Sequence, residues 1–161
     1  MDILKKLAAE VGNELKIRKL KLVTAESCTG GGLSYWITSI PGSSDWFERG
    51  FVTYSNAAKI ELLGVNSLTL ETVGAVSEEV AIEMADGALR HSHADISLAI
   101  TGIAGPDGGT LAKPVGSVWM AWAKHNQPTR VLGKVFSGDR QLIREKTIQF
   151  ILTELISWIQ G

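Results

Sequence analysis

The sequence predicts an α/β protein: a single-domain three-layer α/β/α sandwich around a mixed sheet of about five strands. Three observations carry this expectation. Short apolar runs alternate with segments of helical apolar spacing along the whole chain, which is the pattern of helices packed on both faces of a sheet. Two late apolar runs are separated only by a short polar link, which favours an antiparallel hairpin and makes the sheet mixed. The chain has 161 residues, 45% of them hydrophobic and 20% charged, which suits one domain spanning 1–161 with a core that needs no staple.

Residues 2–18 set Ile3, Leu4, Leu7, Ala8, Val11 and Leu15 at helical spacing between charges. Leu20–Ala25 reads as a strand ending at Glu26-Ser27-Cys28-Thr29, and Leu33–Ile40 as a helix stopped by Pro41-Gly42. Gly50–Tyr54 is expected to be the second strand. Ser55-Asn56 can cap a helix running to Leu63, with Gly64 at the position beyond its end. Ser67–Val73 is a further short helix. Ser77-Glu78-Glu79 opens a longer one to about His91, with acids where the helix dipole favours them. Asp95–Thr101 is a strand, 102–114 a loop, Val115–Lys124 and Arg130–Phe136 the hairpin, and Asp139–Ile159 a closing helix. Trp36, Trp46, Trp119, Trp122 and Trp158 are expected in the core or at an interface.

Composition excludes several classes. Sixteen Lys and Arg stand against 17 Asp and Glu, so there is no basic excess for nucleic-acid phosphates. One cysteine allows no intramolecular disulfide or multi-cysteine metal site and points to a reducing compartment. No apolar run is long enough to span a bilayer, and the N-terminus lacks the apolar core of a signal peptide. The expectation is a cytoplasmic protein with no membrane and no nucleic-acid partner.

Glycine points to a site. Seventeen glycines make about 11% of the chain, against an average near 7%. They cluster at Gly30-Gly31-Gly32 and again at Gly102, Gly105, Gly108 and Gly109. In open α/β sheets ligands bind where strand carboxyl ends meet loops and helix N-termini. Ser27 and Thr29 are placed there either as a nucleophile beside free backbone amides or as simple helix caps. Cys28 is a rival nucleophile, because a thiolate is intrinsically better. Lys59, early in a helix and near Arg140, would have a lowered pKa and could act as the base of a Ser-Lys dyad; the plainer alternative is a solvated lysine. His91, His93 and His125 fall on surface positions. No P-loop ending follows the glycines, and no set of side chains has metal-ligand spacing, so no metal is inferred.

Several segments taken together resemble one family. They are Ala25-Glu26-Ser27-Cys28-Thr29-Gly30-Gly31, Trp46 to Asn56, Gly74-Ala75-Val76-Ser77, Thr101 to Gly109, and Lys113-Pro114-Val115-Gly116. They resemble the CinA C-terminal domain family, whose stand-alone members are nicotinamide-nucleotide amidohydrolases, in order and over nearly the whole chain. The resemblance implies cofactor-free hydrolysis of the carboxamide of nicotinamide mononucleotide, in pyridine nucleotide salvage. It maps a serine–lysine pair onto Ser27 and Lys59, and associates Tyr54, Thr101 and Arg140 with the site. On that reading amides around Thr29 and Gly30 stabilise the oxyanion. Arg140 and the glycine-loop amides hold the phosphate, with Gly31, Asn56, Gly102 and Gly105 also lining the substrate. Members often carry a further nucleotide-processing domain, for which this chain has no room. Exposed aromatics make a homo-oligomer the expectation. Two other readings stand beside this one: a non-catalytic interaction module linked to competence or DNA damage, and Mg²⁺-dependent hydrolysis of another nucleotide.

Overall fold

The computed structural model describes residues 2–161, so that Met1 of the expected 1–161 domain lies outside it. Among the described residues, six α-helices and five strands follow the expected order: α1 (Asp2–Arg18), β1 (Leu22–Glu26), α2 (Gly32–Thr38), β2 (Phe47–Val52), α3 (Asn56–Leu63), α4 (Ser67–Val73), α5 (Glu78–Arg90), β3 (Ile96–Gly102), β4 (Ser117–Lys124), β5 (Arg130–Val135) and α6 (Arg140–Gln160). The strands form one mixed sheet in the order β2-β1-β3-β4-β5. The β2-β1-β3 half is parallel, and β4 and β5 add antiparallel as the expected hairpin.

Alternation along the central strands builds two different cores. Leu22, Ile96, Leu98, Ile100, Val118, Met120 and Trp122 face one side, where α1, α2 and α6 bring Leu15, Leu33, Ile37, Ile151 and Leu155. Val23, Ala25, Ala99, Ala121 and Ala123 face the other, beneath α3, α4 and α5. Small residues on this second face let α5 lie close, through Ala81, Ala85 and Ala88. Closer still, a Cβ at Gly87 would stand 1.9 Å from Leu63 O, so α3 meets α5 at a place where no side chain fits. Because helices cover both faces, β1 and β3 are buried almost throughout, as parallel strands commonly are. Trp46 and Trp122 are core residues, whereas Trp36, Trp119 and Trp158 are partly buried around the two clusters.

Three strands differ from expectation by two residues or more at a boundary. The second strand runs over Phe47–Val52 rather than Gly50–Tyr54, because its parallel register with β1 starts at Leu22↔Phe47 and closes at Glu26↔Val52. Thr53 still donates its N–H to Glu26 O at 2.8 Å, but Thr53 O and Tyr54 O turn out of the ladder toward a lysine. The first strand starts at Leu22, two residues later than expected. Leu20 N–H closes on Leu15 O at 2.9 Å and Lys19 takes φ 57°, so both belong to the end of α1. The fourth starts at Ser117 rather than Val115, because Ser117 N–H closes a turn on Pro114 O at 3.0 Å before the ladder begins.

Candidate active site

The parallel strands β1 and β3 end side by side, and Ser27 N–H donates to Ile100 O at 3.0 Å as the last rung between them. Beyond that rung the chain tightens. Gly30 N–H returns to Ser27 O at 3.0 Å and Gly32 N–H to Thr29 O at 2.9 Å, before α2 begins. Gly30 at φ 58° and Gly31 at φ 97° occupy the left-handed region that this double turn requires, which is what the glycine cluster is for.

The strand's alternation separates its last residues. Glu26 points to the α2 side and is fully buried. Its Oε1 accepts from Thr29 Oγ1 at 2.6 Å and Leu33 N–H at 2.9 Å, and its Oε2 from Ser34 N–H at 3.0 Å and Ser34 Oγ at 2.7 Å. The carboxyl thereby satisfies two of the amides that α2 leaves open at its start and ties the turn to the strand. Ser27 points the opposite way, toward α3.

Lys59 reaches Ser27 from the first turn of α3, whose start is capped by Ser55 Oγ accepting from Ala58 N–H at 3.0 Å. The side chain is 1% exposed, so it is not a solvated lysine. Its Nζ lies 3.0 Å from Ser27 Oγ and donates to Thr53 O at 2.8 Å and to Tyr54 O at 3.3 Å. Among the described residues it forms no ion pair with a carboxylate. Burial pushes its pKa below the ordinary lysine value of 10.5, with Cys28 a smaller opposing influence. The expected cause was the helix end and Arg140; the operative cause is desolvation. Arg140 is engaged elsewhere, donating to Gly105 O at 2.7 Å and to Tyr54 Oη at 3.0 Å.

A neutral amine has two N–H donors and one lone pair. With the donors directed to the Thr53 and Tyr54 carbonyls, the lone pair falls to Ser27, whose hydroxyl can then donate to it. The adjacent Cys28 takes no part in this arrangement. It packs in the core with Leu33 and Ile37, and burial pushes its thiol up to about 12, leaving it protonated at neutral pH.

The remaining expected site residues divide. Tyr54 meets Lys59 only through its main chain; its ring is 61% exposed and its hydroxyl meets Arg140. Ser27, Lys59, Tyr54, Arg140 and Gly105 are thus joined contact by contact. Thr101 stands beside this chain, but its buried hydroxyl donates to Ala75 O at 2.9 Å and fixes the segment before α5. Gly102 is glycine for packing, since a Cβ there would stand 2.8 Å from Ser117 O. Asn56 is exposed on the first turn of α3, with no side-chain partner among the described residues. Thr29 commits its hydroxyl to Glu26. Of the two amides expected to stabilise an oxyanion, that of Gly30 is already bonded to Ser27 O, which leaves the Thr29 N–H.

Three contributors escaped the sequence analysis: Glu26, Thr53 and Arg144. Arg144 Nη2 donates to Thr29 O at 2.8 Å and stands one helical turn beyond Arg140, a spacing that could have flagged it. His91, His93 and His125 are exposed, as expected. Among the described residues no three His, Cys, Asp or Glu side chains come together as metal ligands, and no helix is long and apolar enough to cross a membrane.

Comparison with known proteins agrees with the architecture. A family model described as the CinA C-terminal domain matches residues 4–159. The nicotinamide-nucleotide amidohydrolase PncC of Escherichia coli K12 is 51% identical over 152 residues, covering 94% of this chain and 92% of that protein. Its namesake in Pseudomonas putida is 47% identical over 158 residues, covering 97% of each. The crystal structure of the competence/damage inducible protein CihA from Agrobacterium tumefaciens superposes with a TM-score of 0.95 at 41% identity, covering 99% of this chain and 96% of that one.

Proposed function

The chain belongs to the CinA C-terminal domain family, and from that membership we propose that it hydrolyses the carboxamide of nicotinamide mononucleotide to nicotinate mononucleotide and ammonia. The observation that carries this reading is the buried Lys59 amine 3.0 Å from Ser27 Oγ, with two carbonyls taking its other directions. The amide activity named for the similar proteins is served by a nucleophile, a base and a donor for the oxyanion, roles that Ser27, Lys59 and the Thr29 N–H can fill.

In the first step neutral Lys59 takes the Ser27 proton as Oγ bonds to the amide carbon, and the carbonyl electrons move to oxygen. The Thr29 N–H donates to that oxyanion. As the tetrahedral carbon collapses, the C–N bond breaks and the Lys59 ammonium gives its proton to the leaving nitrogen, releasing ammonia and an acyl-serine. Water then attacks the ester carbon while Lys59 takes its proton, and the same lysine returns a proton to Ser27 Oγ as the acid leaves. Arg140 holds the 5′-phosphate through its planar fork of donors. Tyr54 acts by its carbonyl on Lys59 and by its hydroxyl on Arg140, so it couples base to anion site. No step needs a cofactor, and pyridine nucleotide salvage in the cytoplasm is the metabolic setting that fits the substrate.

The test is ammonia release from nicotinamide mononucleotide, with and without EDTA, by the wild type and by Ser27→Ala. Release by the wild type in EDTA, lost in the variant, supports the reading. Release abolished by EDTA turns the case toward metal-dependent chemistry, and no release by folded wild type leaves the interaction module.

A further inference from the structure

Helix α6 presents two arginines to the turn that carries Ser27. Arg140 and Arg144 are four residues apart, so they leave the helix on one face. Together with Thr29, Gly32, Gln141 and Glu145 they line a cavity of about 400 Å³. Neither forms an ion pair among the described residues. Glu145, the acid in this wall, instead receives a hydrogen bond from Gln141 Nε2 at 3.2 Å. Arg144 is half-buried and spends one donor on Thr29 O, which leaves most of its five N–H groups for something else. The loop makes room for it: a Cβ at Gly30 would stand 2.9 Å from Arg144 Nη2.

Two guanidiniums without an ion pair, lining one cavity together with Thr29 of the turn that follows Ser27, are suited to a dianion shared between them. We propose that Arg144 completes a phosphate seat with Arg140, and that this seat sets the preference for a nucleotide over the corresponding unphosphorylated riboside. The inference rests on the reaction proposed above for its substrate, while the seat itself is a property of the cavity. Arg144 is a binding residue here, and its hydrogen bond to Thr29 O carries phosphate occupancy to the turn that holds Ser27.

The experiment compares wild type, Arg144→Gln and Arg144→Lys in two assays. The first measures kcat/KM for nicotinamide mononucleotide and for nicotinamide riboside. The second measures the shift of melting temperature given by ribose 5-phosphate and by ribose. Losing charge-assisted hydrogen bonds to a phosphate should cut the nucleotide-over-riboside preference roughly 10- to 100-fold in Arg144→Gln. The lysine variant, a point charge without the fork, should fall between and serves if the glutamine variant does not fold. Ribose 5-phosphate should protect the wild type and protect the glutamine variant much less. An equal loss on both substrates would make Arg144 only a latch on Thr29 and overturn the proposal, as would equal protection of wild type and variant. Protection by ribose 5-phosphate without ammonia release from the nucleotide keeps the seat and removes the reaction. Ammonia release with no preference for the nucleotide keeps the reaction and removes the seat.

Discussion

On one side of β1 the Glu26 carboxyl accepts four hydrogen bonds from Thr29, Leu33 and Ser34; on the other, the Lys59 amine meets two carbonyls and one hydroxyl. Both groups are almost wholly buried, and neither forms an ion pair among the described residues. They are neighbours through the strand, yet its alternation keeps them on opposite faces, where they cannot neutralise each other. The difference between them is in what their partners leave over. Every partner of Glu26 is a donor, and the group is held still as part of the framework. The partners of Lys59 satisfy two donors of a neutral amine and leave an electron pair against a hydroxyl. A buried polar group of the first kind holds a turn; one of the second kind is set to react.

The contrast breaks most sharply at the reactive pair. Ser27→Ala and Lys59→Met should each lower kcat about 10³- to 10⁴-fold with KM little changed, as steady-state ammonia release will show. Lys59→Met should melt no lower than wild type, since methionine fills the space without burying a polar head. A variant that instead unfolds would make Lys59 a framework residue like Glu26. On the other face, Glu26→Gln sets an amide NH₂ against donors and should cost about 2 kcal/mol, seen as a melting point lower by about 4–8 °C. Its kcat should fall far less than that of Lys59→Met.

Titration sharpens the same comparison. Because the base must be neutral, kcat/KM should rise about tenfold per pH unit up to an inflection below 10.5. The folded chain gives up the Lys59 proton earlier than the unfolded chain does. Between the lowered pKa and 10.5 the unfolded state therefore binds more protons, and stability should rise with pH across that window. The Lys59→Met protein should show neither slope. The smallest effect is expected at Cys28, whose thiol is pushed up to about 12: Cys28→Ala should keep activity within about threefold, and native protein should resist alkylation by iodoacetamide.

Much of the framework was legible because it rests on periodicity and end signals. Ser77 with Glu78 and Glu79, Ser55 with Gly64, and the short link before Thr129 each mark a boundary that the fold keeps. The β2 boundary was not legible, because its span is set by pairing with a strand 25 residues earlier at Leu22↔Phe47 rather than by its own residues. The site was legible only in part. Ser27 and Lys59 are nameable from a resemblance, but local chemistry alone leaves one as a cap and the other as a surface charge. Burial of Lys59 comes from the packing of α3 against the sheet and α5, which no local pattern encodes. Glu26 gave no signal because its donors come from three, seven and eight residues further on, once α2 has folded back. The Gly30 amide looked available until the turn closed on Ser27 O.

Gly87 contributes no functional group to the site, yet it works as a spacer. Leu63 follows Lys59 by one turn of α3, and its carbonyl sits where a methyl on residue 87 would have to be. The depth to which α3 settles is therefore also the reach of the lysine toward the serine. Any side chain at 87 would lift the helix and draw the amine back from its partner, with every reacting group still present. An inventory of functional groups would pass over this position. In a drawing of tolerances it is the shim against which the whole assembly is aligned, and it does that work by being empty.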